Sequence, residues 1–188
     1  MKRLKIKLNQ YWKNVKIHNS VLSNIRNSWT QIKCELDDYD VKNEGFGKSI
    51  SMPHFYNTII EELFDLTVDV ARIFWIDKGK ICPAHIDTIS ETGKTRSFAL
   101  NIPLENCNKG TNNWLQFNNE TLQQENKRSC IFALGKYEIL ETIVLDQPKL
   151  FRTDIYHNID NTDNLNNRAV LSYRFKDNLT WNQAYNWV

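Results

Sequence analysis

His85 and Asp87 are separated by a single residue, and His157 and then Arg168 follow far downstream. In a strand, residues two apart share a face, so His85 and Asp87 can reach one ion together. A third ligand from His157 gives two imidazole nitrogens and one carboxylate oxygen on one side of a divalent metal. The remaining positions stay open for a cosubstrate and for oxygen. Iron(II) suits that donor set, and zinc suits it too, because affinity alone does not select between them. Arg168 lies just beyond the second histidine. Its guanidinium can grip a carboxylate through two parallel N–H donors, a geometry that lysine lacks. Alternation along a strand then places Val170, Ser172 and Arg174 on the face of Arg168. Ser172 is a candidate for a further hydrogen bond to the same ligand, and Arg174 for a substrate contact or a surface ion pair.

Each of these residues also has an ordinary reading. A lone His-x-Asp arises by chance in many chains, and His85 and Asp87 then sit in an exposed turn. His157 becomes a strand end with one hydrogen bond, and Arg168 a surface partner of Asp160 or Asp163, which contributes little to stability. His54, beside Pro53, reads as a packing or capping residue, and His18 has no partner pattern. Cys34, Cys82, Cys107 and Cys130 show no C-x-x-C spacing, which argues against a zinc knuckle or a thioredoxin-type site. They read as reduced thiols, with Cys82 and Cys107 as small buried hydrophobes. The tryptophans read mainly as packing, although Trp75 and Trp114 flank the candidate ligands and can wall a pocket.

The elements that must position these residues follow from the pattern. Asn19 and Ser20 precede apolar positions Val21, Leu22, Ile25, Trp29 and Ile32, one face of a helix. Residues 37–48 read as a loop. Ser51 to Pro53 reads as a helix start, with Phe55, Ile59, Ile60, Leu63 and Phe64 on the buried side. From residue 67 the chain turns to β-branched and aromatic residues. Strands are expected at 68–76, 81–85, 96–103, 114–117, 129–134, 137–145, 150–156 and 168–175. His157 would then end one strand, ahead of a polar, turn-prone loop at 158–167. Eight strands separated by turns suggest a jelly roll.

The bulk properties fit one domain. The chain has 188 residues with a hydrophobic fraction of 41% and a charged fraction of 24%, ordinary for a globular protein. A net charge of +2 gives no drive toward nucleic acid. Lys2, Arg3, Lys5 and Lys7 read as a solvated strand edge. No apolar run follows them, so neither a signal peptide nor a membrane span is expected, and a cytoplasmic location is the expectation.

Three stretches carry a resemblance. They are 71–87 (ARIFWIDKGKICPAHID), 96–104 (RSFALNIPL), and 151–157 (FRTDIYH) continuing to 168–175 (RAVLSYRF). In this order the chain resembles the 2-oxoglutarate- and iron-dependent oxygenase superfamily, nearest to small aspartyl/asparaginyl hydroxylase-like and proline hydroxylase-like members. The resemblance covers roughly 68–176, leaves the N-terminal third unassigned and implies a double-stranded β-helix; the expected layout is a single domain with a helical support at 1–66, the β-helix core at 67–176 and a tail at 177–188. It implies iron(II) on His85, Asp87 and His157, with 2-oxoglutarate on the metal, its far carboxylate on Arg168, and O2 as co-reactant. Some members carry serine two residues beyond the arginine, where this chain has Val170, so the second cosubstrate contact is open among Asn101, Trp114 and Tyr156. The implied reaction is hydroxylation of an unactivated C–H bond, with amino-acid or peptidyl side chains as the favoured substrate by analogy. The competing class is a cupin-like metal-binding jelly roll that is not an oxygenase, either an isomerase or a binding module. The N-terminal helices are expected first to buttress the barrel, with a homodimer face or a substrate lid as the alternative.

Overall fold

The computed structural model describes residues 10–52, 55–89, 92–118, 123–127, 130–176 and 179–187. Lys2, Arg3, Lys5, Lys7, Pro53 and His54 therefore lie outside the described residues. In chain order the elements are β1 (Trp12–Asn14), α1 (Asn19–Cys34), a 3-10 turn (Leu36–Asp38), β2 (Val41–Asn43), β3 (Gly47–Ser51) and α2 (Phe55–Phe64). Then come β4 (Val68–Ile76), β5 (Ile81–Asp87), β6 (Phe98–Glu105), β7 (Thr111–Phe117), β8 (Gln123–Lys127) and β9 (Cys130–Leu134). The chain closes with β10 (Tyr137–Val144), β11 (Lys149–Arg152), β12 (His157–Asp160), β13 (Arg168–Phe175) and α3 (Trp181–Trp187).

The strands form two antiparallel sheets, ordered β1-β11-β6-β13-β4-β3-β2 and β10-β7-β12-β5-β9-β8. From β4 onward the chain steps between the sheets. β4, β6, β11 and β13 lie in the larger sheet, and β5, β7, β10 and β12 lie in the smaller. Within each sheet, strands from the first half of this run alternate with strands from the second half. That order is a double-stranded β-helix, a jelly roll. The β8–β9 hairpin widens the smaller sheet beside β5.

Parity along β13 explains its burial on both faces. Ala169, Leu171, Tyr173 and Phe175 join the core under the helices, while Val170 joins a second core between the sheets with Trp114, Phe151, Leu145 and Tyr11. Arg168, Ser172 and Arg174 share the parity of Val170 and so face the barrel interior. Helix α1 covers the outer face of the larger sheet. Its buried residues Leu22, Ile25, Trp29 and Ile32 recur at helical spacing, and burial of each is worth about 2 kcal/mol. Trp29 also donates from Nε1 to Glu105 at 2.8 Å and meets Trp75 edge-on at 5.5 Å. The side chain of His18 caps this helix by accepting from the Ser20 amide.

Several expectations change. The N-terminal segment contributes β1, β2 and β3 to the larger sheet as well as helices. The loop expected at 37–48 contains β2, and the segment expected as a tail carries α3, whose Trp181 and Ala184 are buried in the main core. In α2, Ile60 is fully buried, but Leu63 is 48% exposed. The strand expected at 150–156 ends at Arg152. The chain then crosses between the sheets, and His157 opens β12 rather than closing β11. The polar stretch after it is largely interior. Asn158, Asn161 and Asn164 are buried, and Asn161 donates from Nδ2 to the carbonyls of Asp77 (3.0 Å) and Asn166 (3.3 Å). Asn164 donates to the Asn106 carbonyl and to Asn161 Oδ1, both at 2.9 Å. Asparagine amides, with donor and acceptor on one short side chain, satisfy backbone groups that a jelly-roll end would otherwise bury unpaired.

Candidate metal centre

β5 and β12 are neighbours in the smaller sheet, and their register sets His157 directly opposite His85. The two rings lie 4.3 Å apart between centroids. Asp87 falls two residues beyond His85 on the same face, and its Oδ1 is 3.8 Å from His85 Nε2. Ligand atoms of His85, Asp87 and His157 all lie within 4.8 Å of one another, and all three residues are buried. Groups at that spacing could hold one metal ion.

Backbone hydrogen bonds fix this arrangement. His85 Nδ1 faces the Pro83 carbonyl at 2.8 Å, and His157 Nδ1 faces the Ile155 carbonyl at 2.9 Å. A carbonyl only accepts, so each Nδ1 carries the proton and each Nε2 keeps a lone pair able to bind a metal. At the end of β5, the Asp87 amide donates to Thr153 in the crossing segment, and the Arg96 amide donates back to Asp87. Thr153 Oγ1 also donates to the Arg96 carbonyl at 2.8 Å. The segment that carries the chain from β11 to β12 is thus tied to the strand end that carries the carboxylate.

Electrostatics hold the three groups in their metal-binding forms. Burial, and then the neighbouring His157, lower the pKa of His85 to about 4. Burial likewise lowers that of His157. For Asp87 burial opposes ionisation, but Arg174 and the two histidines outweigh it and hold the carboxyl below its usual value. At neutral pH the set is two neutral imidazoles and a carboxylate.

Arg174 is the main residue that sequence reasoning placed too loosely. Neither a surface ion pair nor a solvated face describes it: Arg174 is buried and donates from Nη2 to Asp87 Oδ1 at 2.8 Å. Its guanidinium also lies over the Phe74 ring at 5.8 Å. The strand parity that places Arg168 inside places Arg174 inside as well, and that was the signal available in the sequence. The thiol of Cys130, opposite Asp87 on β9, points to the same carboxylate oxygen at 3.5 Å. Burial, and then the Asp87 charge, push that thiol up to about 12, so it acts as a neutral donor. Cys82 is buried with its sulfur 3.9 Å from His85 Nδ1, and all four cysteines are free.

Arg168 is fully buried at the start of β13. Its contacts are neutral: the Thr111 carbonyl at 3.4 Å, Asn112 Oδ1 at 3.2 Å, and the Cys107 thiol. Asp160 and Asp163, its surface partners in the ordinary reading, form no ion pair with it. Arg168 Nε and Asn112 Nδ2 are buried without a hydrogen-bond partner among the described residues. Two orphaned N–H donors beside an uncompensated cation are costly to bury unless an acceptor joins them. Gly110 makes room for this corner: a Cβ there would sit 2.8 Å from Asn161 Oδ1 and 3.2 Å from Arg168 Nη1. Asn112 shares inward parity with Trp114 on β7, a weak signal that sequence reasoning passed over.

The other candidates divide. Ser172 and Asn101 lie opposite each other across β13 and β6, both buried on the inner face. Neither makes a side-chain hydrogen bond among the described residues. Trp114 pairs with His157 in register but commits its indole N–H to the Arg152 carbonyl at 2.9 Å and packs between Tyr11 and Phe151. It braces the crossing that delivers His157.

No protein-family model matches the chain, and no curated protein matches it in sequence. Solved structures similar in backbone include oxalate decarboxylase from Lactobacillus farciminis in its formate complex, at 12% identity and a TM-score of 0.42 over 77% of this chain and 33% of that one. Hazelnut (Corylus avellana) vicilin is similar at 14% identity and a TM-score of 0.40, over 73% of this chain and 31% of that one. A hydroquinone 1,2-dioxygenase in complex with Cd2+ and 4-hydroxybenzonitrile is similar at 9% identity and a TM-score of 0.35, over 59% of this chain and 60% of that one. The chain spans about a third of the length of the decarboxylase and vicilin chains it matches. The fold itself rests on the strand order: a double-stranded β-helix with a candidate metal triad between its sheets.

Proposed function

We propose that the protein is an Fe(II)- and 2-oxoglutarate-dependent oxygenase that hydroxylates an unactivated C–H bond, with an amino acid or peptidyl side chain as substrate. The observation that carries this reading is the pairing of two features inside one barrel. One is a two-histidine, one-carboxylate set whose ligand atoms lie within 4.8 Å of one another, with each Nδ1 held by a backbone carbonyl. The other is a buried guanidinium that lacks an acidic partner among the described residues and sits beside a second N–H donor left unpaired there. The first fits iron(II) by donor type. The second fits one carboxylate of a dicarboxylate.

In this reading His85, Asp87 and His157 hold the metal on one side, and Arg168 with Asn112 fixes the far carboxylate of 2-oxoglutarate. Bound together, the iron and 2-oxoglutarate supply the oxygen activation and the oxidising power, releasing succinate and carbon dioxide. The chain's own work is to orient. The Pro83 and Ile155 carbonyls hold the ring tautomers, Thr153 holds the end of β5, and the packed interior around Trp114, Phe151 and Val170 excludes water from one side of the site. Ser172 and Asn101, on the inner face of the larger sheet, offer further polar contacts to cosubstrate or substrate.

The test is metal-dependent binding of 2-oxoglutarate, followed by succinate release on addition of candidate amino acids and peptides. Tight binding only with metal present, lost in His85→Ala and in Arg168→Gln, supports the reading. Metal binding with no 2-oxoglutarate binding would assign the site to a non-oxygenase jelly roll.

A further inference from the structure

Asp87 Oδ1 is the carboxylate oxygen nearest His85 Nε2, and it is also the oxygen that Arg174 Nη2 contacts at 2.8 Å. One atom therefore faces both the point where a metal would sit and a resident cation. Both side chains are at least nine-tenths buried, so water screens neither. They also come from opposite sheets, Asp87 from β5 and Arg174 from β13. The Cys130 thiol reaches the same oxygen from β9 at 3.5 Å.

We propose that Arg174 is a built-in counter-cation that keeps the triad assembled without metal and holds down its affinity for divalent ions. This rests on the metal reading of His85, Asp87 and His157. The physical reasoning is a comparison of two effects. With Arg174 the buried set of His85, His157, Asp87 and Arg174 is neutral overall; without it the set carries one negative charge. A divalent cation entering the neutral set meets a guanidinium on the very oxygen it needs, and their repulsion acts across a buried, poorly screened gap. Against this, Arg174 spares the metal the work of ordering one short carboxylate, whose rotamer entropy is small. Repulsion is the larger effect, so removing the charge tightens metal binding. Without metal, the same removal leaves a buried carboxylate uncompensated and loosens the fold. Arg174 is thus a positioning residue that exchanges metal affinity for a site that stands ready and releases its ion.

The test separates charge from hydrogen bonding. Co(II) dissociation constants are measured at pH 8 by competition with a chelator, for wild type, Arg174→Gln and Arg174→Lys, each prepared in the presence of Co(II). Arg174→Gln keeps an N–H donor and removes the charge; its affinity is expected to rise at least about tenfold. Arg174→Lys keeps the charge and is expected to stay within about threefold of wild type. After the metal is stripped, Arg174→Gln is expected to melt below wild type and to recover on addition of Co(II). If Arg174→Gln binds Co(II) as wild type does, or more weakly, the counter-cation role is overturned. If Arg174→Lys shifts affinity tenfold while Arg174→Gln does not, the role is donor geometry and not charge. If wild type binds no Co(II) at all, the metal reading itself fails, a result distinct from the other two.

Discussion

His85 and His157 face each other across the β5–β12 pairing, and each ring bonds through Nδ1 to the carbonyl two residues before it, Pro83 for one and Ile155 for the other. The two candidate ligands thus share one local device. If both rings hold the metal, a single change at either one removes a ligand that backbone geometry has already aimed. His85→Ala and His157→Ala are each expected to weaken Co(II) or Fe(II) binding by at least about 100-fold. Calorimetry or chelator competition measures this. A variant that binds metal as wild type does would remove that ring from the ligand set.

The corner around Arg168 predicts a second loss. Arg168→Gln is expected to weaken metal-dependent binding of 2-oxoglutarate, or of an unreactive analogue, by at least about 100-fold. Arg168→Lys keeps the charge but loses the fork, and a loss of at least about tenfold is expected. Asn112→Ala removes one donor, so a smaller loss of about three- to tenfold is expected. All three are read by calorimetry with Mn(II) in place of iron. If Asn112→Ala binds the cosubstrate unchanged, the orphaned amide serves something else.

Acid is expected to loosen the metal-free protein. The pKa of His85 falls from 6.5 in an unfolded chain to about 4 in the folded site. Between these values the unfolded chain takes up a proton that the folded chain refuses, so protons favour unfolding. The contribution is whole above about pH 6.5 and is lost as pH falls toward 4, amounting to roughly 3 kcal/mol. Asp87 is also held below its usual value, and its share has the same sign but is lost at lower pH. Urea titrations of the stripped protein at pH 7, 5.5 and 4.5 measure the slope. In His85→Gln the slope between pH 6.5 and 4 is expected to flatten, and an unchanged slope would place the proton uptake elsewhere.

Gly110 gives a prediction that couples stability to ligand binding. In Gly110→Ala the new methyl meets Asn161 Oδ1 at 2.8 Å, the Asp160 carbonyl at 3.0 Å and Arg168 Nη1 at 3.2 Å. One of these contacts is backbone and two are buried side chains with little room to retreat. A destabilisation of about 1–3 kcal/mol is expected, together with weaker 2-oxoglutarate binding as Arg168 is pushed aside. Thermal melts and the calorimetric assay read the two effects separately.

How much of this was legible in the sequence depends on the signal each residue left. The strand at 68–76 and the last strand beginning at Arg168 were plain, because β-branched and aromatic residues alternate there. The parity of β13 already pointed Ser172 and Arg174 inward. What parity could not supply was the partner across the barrel, so the contact between Arg174 and Asp87 emerged only from the fold. The crossing between β11 and β12 was hidden because Thr153, Asp154 and Ile155 continue a strand-like run without glycine or proline. β2 and β8 were hidden for the opposite reason: Val41–Asn43 and Gln123–Lys127 lack apolar alternation and pair only because a neighbouring strand offers its edge. The asparagines after His157 looked like solvated loop, since polarity alone does not tell an exposed amide from one that completes buried backbone hydrogen bonds. Asn112 left little trace, because an inward amide has no periodicity of its own.

The bond from Asp87 to Arg174 runs from one half of the sandwich to the other. It ties β5 of one sheet to β13 of the other through a single buried contact. Anything wedged between the halves would pull on it, and the pull would arrive at the carboxylate oxygen nearest His85. A ligand that spread the two sheets would therefore be felt at the candidate metal site itself, with no lid or hinge needed to carry the message.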